Sequence, residues 1–297
     1  MDTEPNWRVL TADDLPEVAA LARRCLAGDG GLPLVADPSF LARRFAADGG
    51  VARGTFDPAG RLVAAGAIRP QDNNGVRRAV ATGLVDPAHR GQGLGGALLD
   101  WMLDPALVGA DRVTLETEAL TDRSSALFAA RGLRQTFAED VLRFDLAGAE
   151  PPRIDLPAGL RVRPWSAELA ERFFAVYHAA FAGRPGFPGW SVGQWVEWTT
   201  DDEDFRPQWS LLGTDETGTD LGFVTAAVGW IVQVGVRPQA RGRGLGAALV
   251  VEALRRMRAD GSAEALLDVN VDNPAVHLYR RLGFTDLGRR ARFEPAG

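Results

Sequence analysis

Two glycine-rich stretches hold the residues best placed for chemistry: Arg90-Gly91-Gln92-Gly93-Leu94-Gly95-Gly96 and Arg241-Gly242-Arg243-Gly244-Leu245-Gly246-Ala247. Glycine lets a backbone come close to a ligand and turn its N–H groups inward. A hydrophobic strand precedes each stretch and an amphipathic helix follows it. The helix start adds unpaired donors and the positive end of the macrodipole. Such an arrangement is an anion site, and a pyrophosphate suits it.

The two stretches belong to an internal repeat. Val85 to Leu99 is mirrored by Val236 to Val250, with Pro87, Arg90 and Gly93 answered by Pro238, Arg241 and Gly244 at a constant offset of 151. Arg131-Gly132-Leu133 answers Leu282-Gly283-Phe284 at the same offset. Register kept over that distance implies one supersecondary unit built twice. Ala147 to Gly159, with three prolines and two glycines, reads as the linker. The expected domains are residues 1–150 and 154–297, with the boundary near 153.

Each half is expected to open with a short strand, near Trp7 to Leu10 and near Leu160 to Arg163, followed by a helix. Thr11 and Ser166 are expected to cap those helices, and Asp13, Asp14 and Glu168 to offset the helix dipole. After the second glycine loop, Leu245, Leu249, Ala253 and Met257 form an apolar helix face, which Gly261 is placed to end. A strand from Ala265 to Val271 then leads to a helix over Asn273 to Leu282. The fold class is α/β (α+β): two tandem domains, each a mixed twisted sheet flanked by helices.

Composition narrows the function. The net charge is −6 and arginines occur at most in adjacent pairs, so the basic face of a nucleic-acid binder is not expected. Three histidines and one cysteine give no zinc-ligand spacing, and no metal is expected. The lone Cys25 suits a reducing, cytoplasmic setting. Met1 to Pro5 lacks the basic and apolar regions of a secretory signal. The apolar run Leu221 to Val236 is too short to span a bilayer and reads as two buried strands, so no membrane partner is expected. Two copies in one chain can bury a pseudo-symmetric interface internally, which is compatible with a monomer.

A dinucleotide site is the rival reading, because Gly91 to Gly96 matches G-x-G-x-x-G and Gly242 to Ala247 its alanine variant. That motif directly follows the first strand of its domain. Here Asp86 to Arg90 intervene, and about fifty residues remain afterwards, too few for the second set of βα units.

The motif Arg-x-x-Gly-x-Gly, met by Arg90, Gly93, Gly95 and by Arg241, Gly244, Gly246, resembles that of the GNAT acetyltransferase superfamily. The strands Gly83-Leu84-Val85 and Val234-Gly235-Val236 and the segment Asn273 to Phe284 extend the resemblance. The tandem layout is similar to the bacterial two-domain subgroup that includes mycothiol synthase. The resemblance implies acetyl-CoA as co-substrate, entering a V-shaped opening beside the repeated strand. It implies pantetheine pairing with Val234 to Val236, pyrophosphate on the N–H groups of Gly242 to Ala247, and a bond from Asn273. It also places Tyr279 where the family protonates the departing sulfur.

At the same offset Tyr279 maps onto Phe128 and Asn273 onto Asp122, so the N-terminal copy is expected to be non-catalytic while keeping its loop. The subgroup resemblance leads one to expect a carboxylate on the strand entering the second loop, but Trp230 to Val236 has none. Glu197, Asp201 and Asp268 are alternative bases. The aromatic stretch Phe181 to Trp198 and the acidic run Asp201 to Asp204 suit an amine-bearing small molecule. The leading expectation is an N-acetyltransferase for a small amine, and the alternative is a non-enzymatic acetyl-CoA-binding protein.

Overall fold

The computed structural model describes residues 6–73, 76–184 and 187–296. Met1 to Pro5, read above for a leader, and Pro185 and Gly186 of the aromatic stretch lie outside the described residues. The chain forms two compact units, Met1–Val141 with Leu287–Gly297, and Leu142–Asp286.

The elements of the first unit are β1 (Arg8–Val9), α1 (Leu15–Asp29), α2 (Pro38–Phe45), β2 (Val51–Phe56), β3 (Leu62–Asn73), β4 (Val76–Val85), α3 (Leu94–Met102), β5 (Arg112–Thr117), α4 (Asp122–Ala129) and the start of β6 (Leu133–Asp145). Those of the second are β7 (Arg161–Pro164), α5 (Ala170–Phe181), α6 (Val192–Thr200), β8 (Leu211–Thr214), β9 (Asp220–Ala227), β10 (Trp230–Val236), α7 (Leu245–Ala259), β11 (Glu264–Asn270), α8 (Ala275–Arg281) and the start of β12 (Thr285–Pro295).

The first unit has strand order β1-β2-β3-β4-β5-β12 and the second β6-β11-β10-β9-β8-β7. In the first unit β1–β2, β2–β3, β3–β4 and β5–β12 pair antiparallel and β4–β5 parallel; in the second β7–β8, β8–β9 and β9–β10 pair antiparallel and β10–β11 parallel. The mixed α/β class and the doubled unit therefore stand. The last strand, however, is exchanged. Residues of β12 from Leu287 onward complete the first unit, pairing antiparallel with β5 through Ala291–Thr117 and Phe293–Leu115. Leu142, Phe144 and Leu146 are buried in the core of the second unit, against Leu249, Val250 and Leu267. The division by contacts thus falls at Val141, earlier than the linker, and the linear boundary near residue 153 carries no sign of the exchange.

Several local expectations hold. The run Leu221 to Val236 is two strands, β9 and β10. Leu245, Leu249, Ala253 and Met257 are all buried. Gly261, at φ +86°, ends α7, with Ser262 N–H bonded to the Met257 carbonyl as in a Schellman stop. Thr11 and Ser166 do stand at extended N-cap positions, each opening a short 3₁₀ turn; Thr11 is set in a capping box with Asp14, whereas Ser166 makes no side-chain capping bond. At Thr11 the Asp14 carboxylate reaches back to accept from the Thr11 N–H at 2.9 Å, the return half of that capping box. Helix α8 begins at Ala275, two residues after Asn273. No helix among the described residues is long and apolar enough to cross a membrane.

Candidate functional site

The two glycine loops are built alike. Gly91 and Gly93 have φ +82°, Gly242 +76° and Gly244 +81°, and a Cβ at any of them would meet nothing within 4 Å. Backbone conformation, not crowding, therefore demands glycine here. Gly93 and Gly244 are the N-caps of α3 and α7, and neither helix has a side-chain cap. Their first N–H groups are thus left to an external acceptor. Leu94 and Leu245 are buried and pin the helix starts, while Gln92 and Arg243 are exposed. Gly95 and Gly246 lie against the Val85 and Val236 side chains, and Gly96 against the Arg131 guanidinium.

The motif arginines turn inward. Arg90 donates from Nε to the Val85 carbonyl at 3.2 Å, and Arg241 does the same to Val236 at 3.2 Å. Arg90 also grips the Asp29 carboxylate at 2.7 and 2.6 Å, and Arg241 the Ala180 carbonyl at 3.1 Å. Each arginine thus ties the strand end to the end of the first helix of its unit. What remains for a ligand is main chain.

Both units open a V beside the loop. The β4–β5 pairing runs from Arg78–Arg112 to Ala81–Leu115 and stops, leaving Gly83, Leu84 and Val85 splayed. The pairing of β10 with β11 is confined to Trp230 and Leu266, so Val234, Gly235 and Val236 are splayed as well. In the first unit the V and loop merge into a cavity of about 550 Å³ walled by Gly83, Val85, Gly93, Leu98, Thr117 and Phe128. Cys25 also lines it. Burial pushes that thiol up to about 11, and it donates to the Val85 carbonyl at 3.4 Å.

The units differ in the strand that enters the loop. In the first, β3 and β4 stay in register from Ala64–Val85 to Gln71–Arg78. In the second, the register of β10 against β9 shifts between Ile231 and Gln233, a bulge that pushes Val232 outward, 40% exposed. Bulges of this kind sit beside active sites because they re-aim the backbone. At Gly235 a Cβ would run into the Phe223 ring and lie 3.0 Å from Phe181, so glycine is needed there for close packing.

Tyr279 is buried on α8, edge-on to Phe284, and burial pushes its hydroxyl up to about 12, partly offset by Arg184. Arg184 lies over the Phe181 ring at 4.3 Å; burial first, then the like charge of Arg241, hold it below the usual guanidinium range. Phe128 occupies the matching place in the first unit, packed edge-on against Phe293 at 4.9 Å. The Asn273 side chain turns to its own helix, accepting from Ala275 N–H at 3.1 Å, and Asp122 stands in the first turn of α4.

No carboxylate lies on β10. Gln233 is there, its Oε1 accepting from the Trp195 indole at 3.2 Å. Glu197 and Asp201 are exposed at the end of α6, and Asp268 is half-buried on β11. In the first unit, Glu116 and Glu118 flank the V but are held by arginines: Glu116 by Arg44 and Arg292 at 3.3 and 3.1 Å, Glu118 by Arg44 and by Arg290 at 3.2 Å. The bulge, the exchanged strand and Arg184 had no signature in the residue pattern.

Comparison with known proteins agrees with this geometry. Residues 33–133 and 190–284 match the Acetyltransferase (GNAT) family. The chain is 33% identical over 295 residues to a mycothiol acetyltransferase of Clavibacter sepedonicus, covering 92% of this chain and 90% of that one. It is 34% identical over 229 residues to one of Streptomyces avermitilis, covering 72% and 70%. Among solved structures, a GCN5-related N-acetyltransferase from Sphaerobacter thermophilus superposes with TM-score 0.73 at 24% identity, over 98% of this chain and 96% of that one. A tandem GNAT protein from the clavulanic acid biosynthesis pathway does so with TM-score 0.64 at 19% identity, over 99% of both.

Proposed function

Given that the chain belongs to the GNAT acetyltransferase family, we propose that it transfers an acetyl group from acetyl-CoA to the amine of a small molecule, with the chemistry in the second unit. The observation that carries this reading is the bulged, splayed β10 sharing a unit with a buried phenol at position 279. The first unit keeps the loop but has an in-register strand and Phe128. It binds the cofactor through Gly83 to Val85 and Arg90 to Gly96 without turning it over, so that the first unit carries the non-catalytic copy and the second, Leu142–Asp286, the catalytic one.

In the second unit the N–H groups of Gly242 to Ala247 hold the pyrophosphate, and Val234 to Val236 pair with the pantetheine arm. The amine nitrogen attacks the thioester carbonyl carbon. A free N–H of the splayed β10 takes the developing oxyanion. As the C–S bond breaks, Tyr279 donates a hydrogen bond to the sulfur. With a thiol near 8.5 and a phenol near 12, complete transfer is uphill by about 5 kcal/mol, so the bond strengthens late and the phenol keeps most of its proton.

Gln233 cannot accept a proton, so the ammonium first loses one to solvent; the proton that the attacking nitrogen sheds as the tetrahedral intermediate collapses passes through solvent to the departing thiolate, giving the amide and coenzyme A. Relatives named for mycothiol acetylation support a small-molecule acceptor, whereas the amide at 233 leaves its identity to be found by assay. Thiol release from acetyl-CoA across a panel of small amines tests the reading. Amine-dependent release is expected. Tight acetyl-CoA binding by calorimetry with no release for any amine would overturn it.

A further inference from the structure

The second unit has a smaller cavity, of about 190 Å³, between the end of α6 and the bulge of β10, walled by Trp198, Asp202, Phe205, Thr225 and Val232. Three independent features single it out. Thr225 is 1% exposed and its hydroxyl has no hydrogen-bond partner. Folded proteins avoid leaving such a group unpaired, so an orphan facing a cavity asks for a ligand. Thr199, the other hydroxyl in the wall, is already engaged, donating to the Trp195 carbonyl at 2.8 Å.

Asp202 supplies charge. Its Oδ1 accepts from the Asp204 N–H at 2.9 Å, and no ion pair to it is found among the described residues. The apolar rim is the third feature: Trp198 is 46% and Val232 40% exposed, with the Trp190 ring 5.2 Å from Trp198. Large exposed apolar side chains beside a pocket mark a binding surface. Position also fits. Thr225 is the cross-strand partner of Gln233, on the strand that parts from β11 to form the V.

We propose that this pocket is a cationic subsite for the acceptor. An ammonium group sits between the Asp202 carboxylate and the ring faces of Trp198 and Phe205, and donates to Thr225 Oγ1. The net charge of −6 favours the approach of such a cation. The assignment rests on the acetyl-transfer reading for its meaning but not for its test.

Propylammonium chloride and 1-propanol, matched in shape and differing in charge, are titrated into the full chain at constant ionic strength, with tryptophan indole signals followed by NMR. The cation is expected to bind at least tenfold more tightly than the alcohol. Asp202→Asn should lose about tenfold in cation affinity. Thr225→Val, equal in shape without the hydroxyl, should lose at least threefold while raising the urea midpoint, a gain that marks the hydroxyl as kept for something other than stability. Equal binding of alcohol and cation, or unchanged cation affinity in either variant, overturns the subsite. Calorimetry with coenzyme A on the same samples separates the two readings. Cofactor binding without cation binding removes only the subsite; cation binding without cofactor binding removes the acetyl-transfer reading.

Discussion

The loop of the first unit and that of the second agree down to single bonds, yet the strands feeding them do not. Both motif arginines donate Nε to the carbonyl five residues back at the same 3.2 Å, and both helices start on a left-handed glycine. Beyond that, β4 is regular and its Val85 lines a cavity with Phe128, while β10 is bulged and shares its unit with Tyr279. An anion cradle made of main chain survives almost any change around it, because it asks only for glycine and a helix start. In the proposed mechanism, reactivity depends on the register of one strand and the identity of one ring. Duplication has preserved the first and separated the second.

The comparison breaks most easily at residue 279. Tyr279→Phe removes the donor at constant shape and is expected to lower kcat by about 10²–10⁴-fold with acetyl-CoA affinity retained. An unchanged rate would make the two units chemically equal. Because its hydroxyl stays protonated up to about pH 12, the wild-type rate should show no tyrosine ionisation limb in the working range.

A smaller effect separates the loops. Forcing a β-branched residue into a left-handed position costs about 1–2 kcal/mol, close to tenfold in affinity. Gly244→Val should weaken the site that supports turnover, raising KM for acetyl-CoA about tenfold. Gly93→Val should weaken a second calorimetric site and leave turnover unchanged. If both variants lose activity equally, the first unit is not a bystander.

The smallest change concerns the missing base. Gln233→Glu places a carboxylate on β10 while the Trp195 indole can still donate to it. A rise of a few-fold in kcat/KM at pH 7, fading toward the acceptor's own pKa, is expected from the pH–rate profile. A flat response would mean that proton loss precedes binding altogether.

Much of this was legible in the residues. Glycine spacing and a constant offset reveal paired loops, because both depend on local backbone needs. The fate of the last strand was not, because β6 and β12 carry the same alternation whichever sheet receives them. The bulge was equally silent: it is a relation between β10 and β9, and nothing in Trp230 to Val236 states which residue of the neighbour each will face. Asn273 stands in a motif that the resemblance ties to the cofactor, and its Oδ1 accepts from the Ala275 N–H at the start of α8. Capping competes for the same side-chain types that bind ligands.

The exchanged strand also has a bearing on synthesis. A ribosome finishing the first unit as far as Val141 must still make about 145 residues, Leu142 to Asp286, before the strand that closes its sheet exists. At about 5–20 residues per second that is a wait of roughly 7–30 s. During it, β5 offers an open edge to whatever strand comes near, the situation in which chaperones earn their keep. Cutting the gene at the linker would make that wait permanent for the N-terminal fragment.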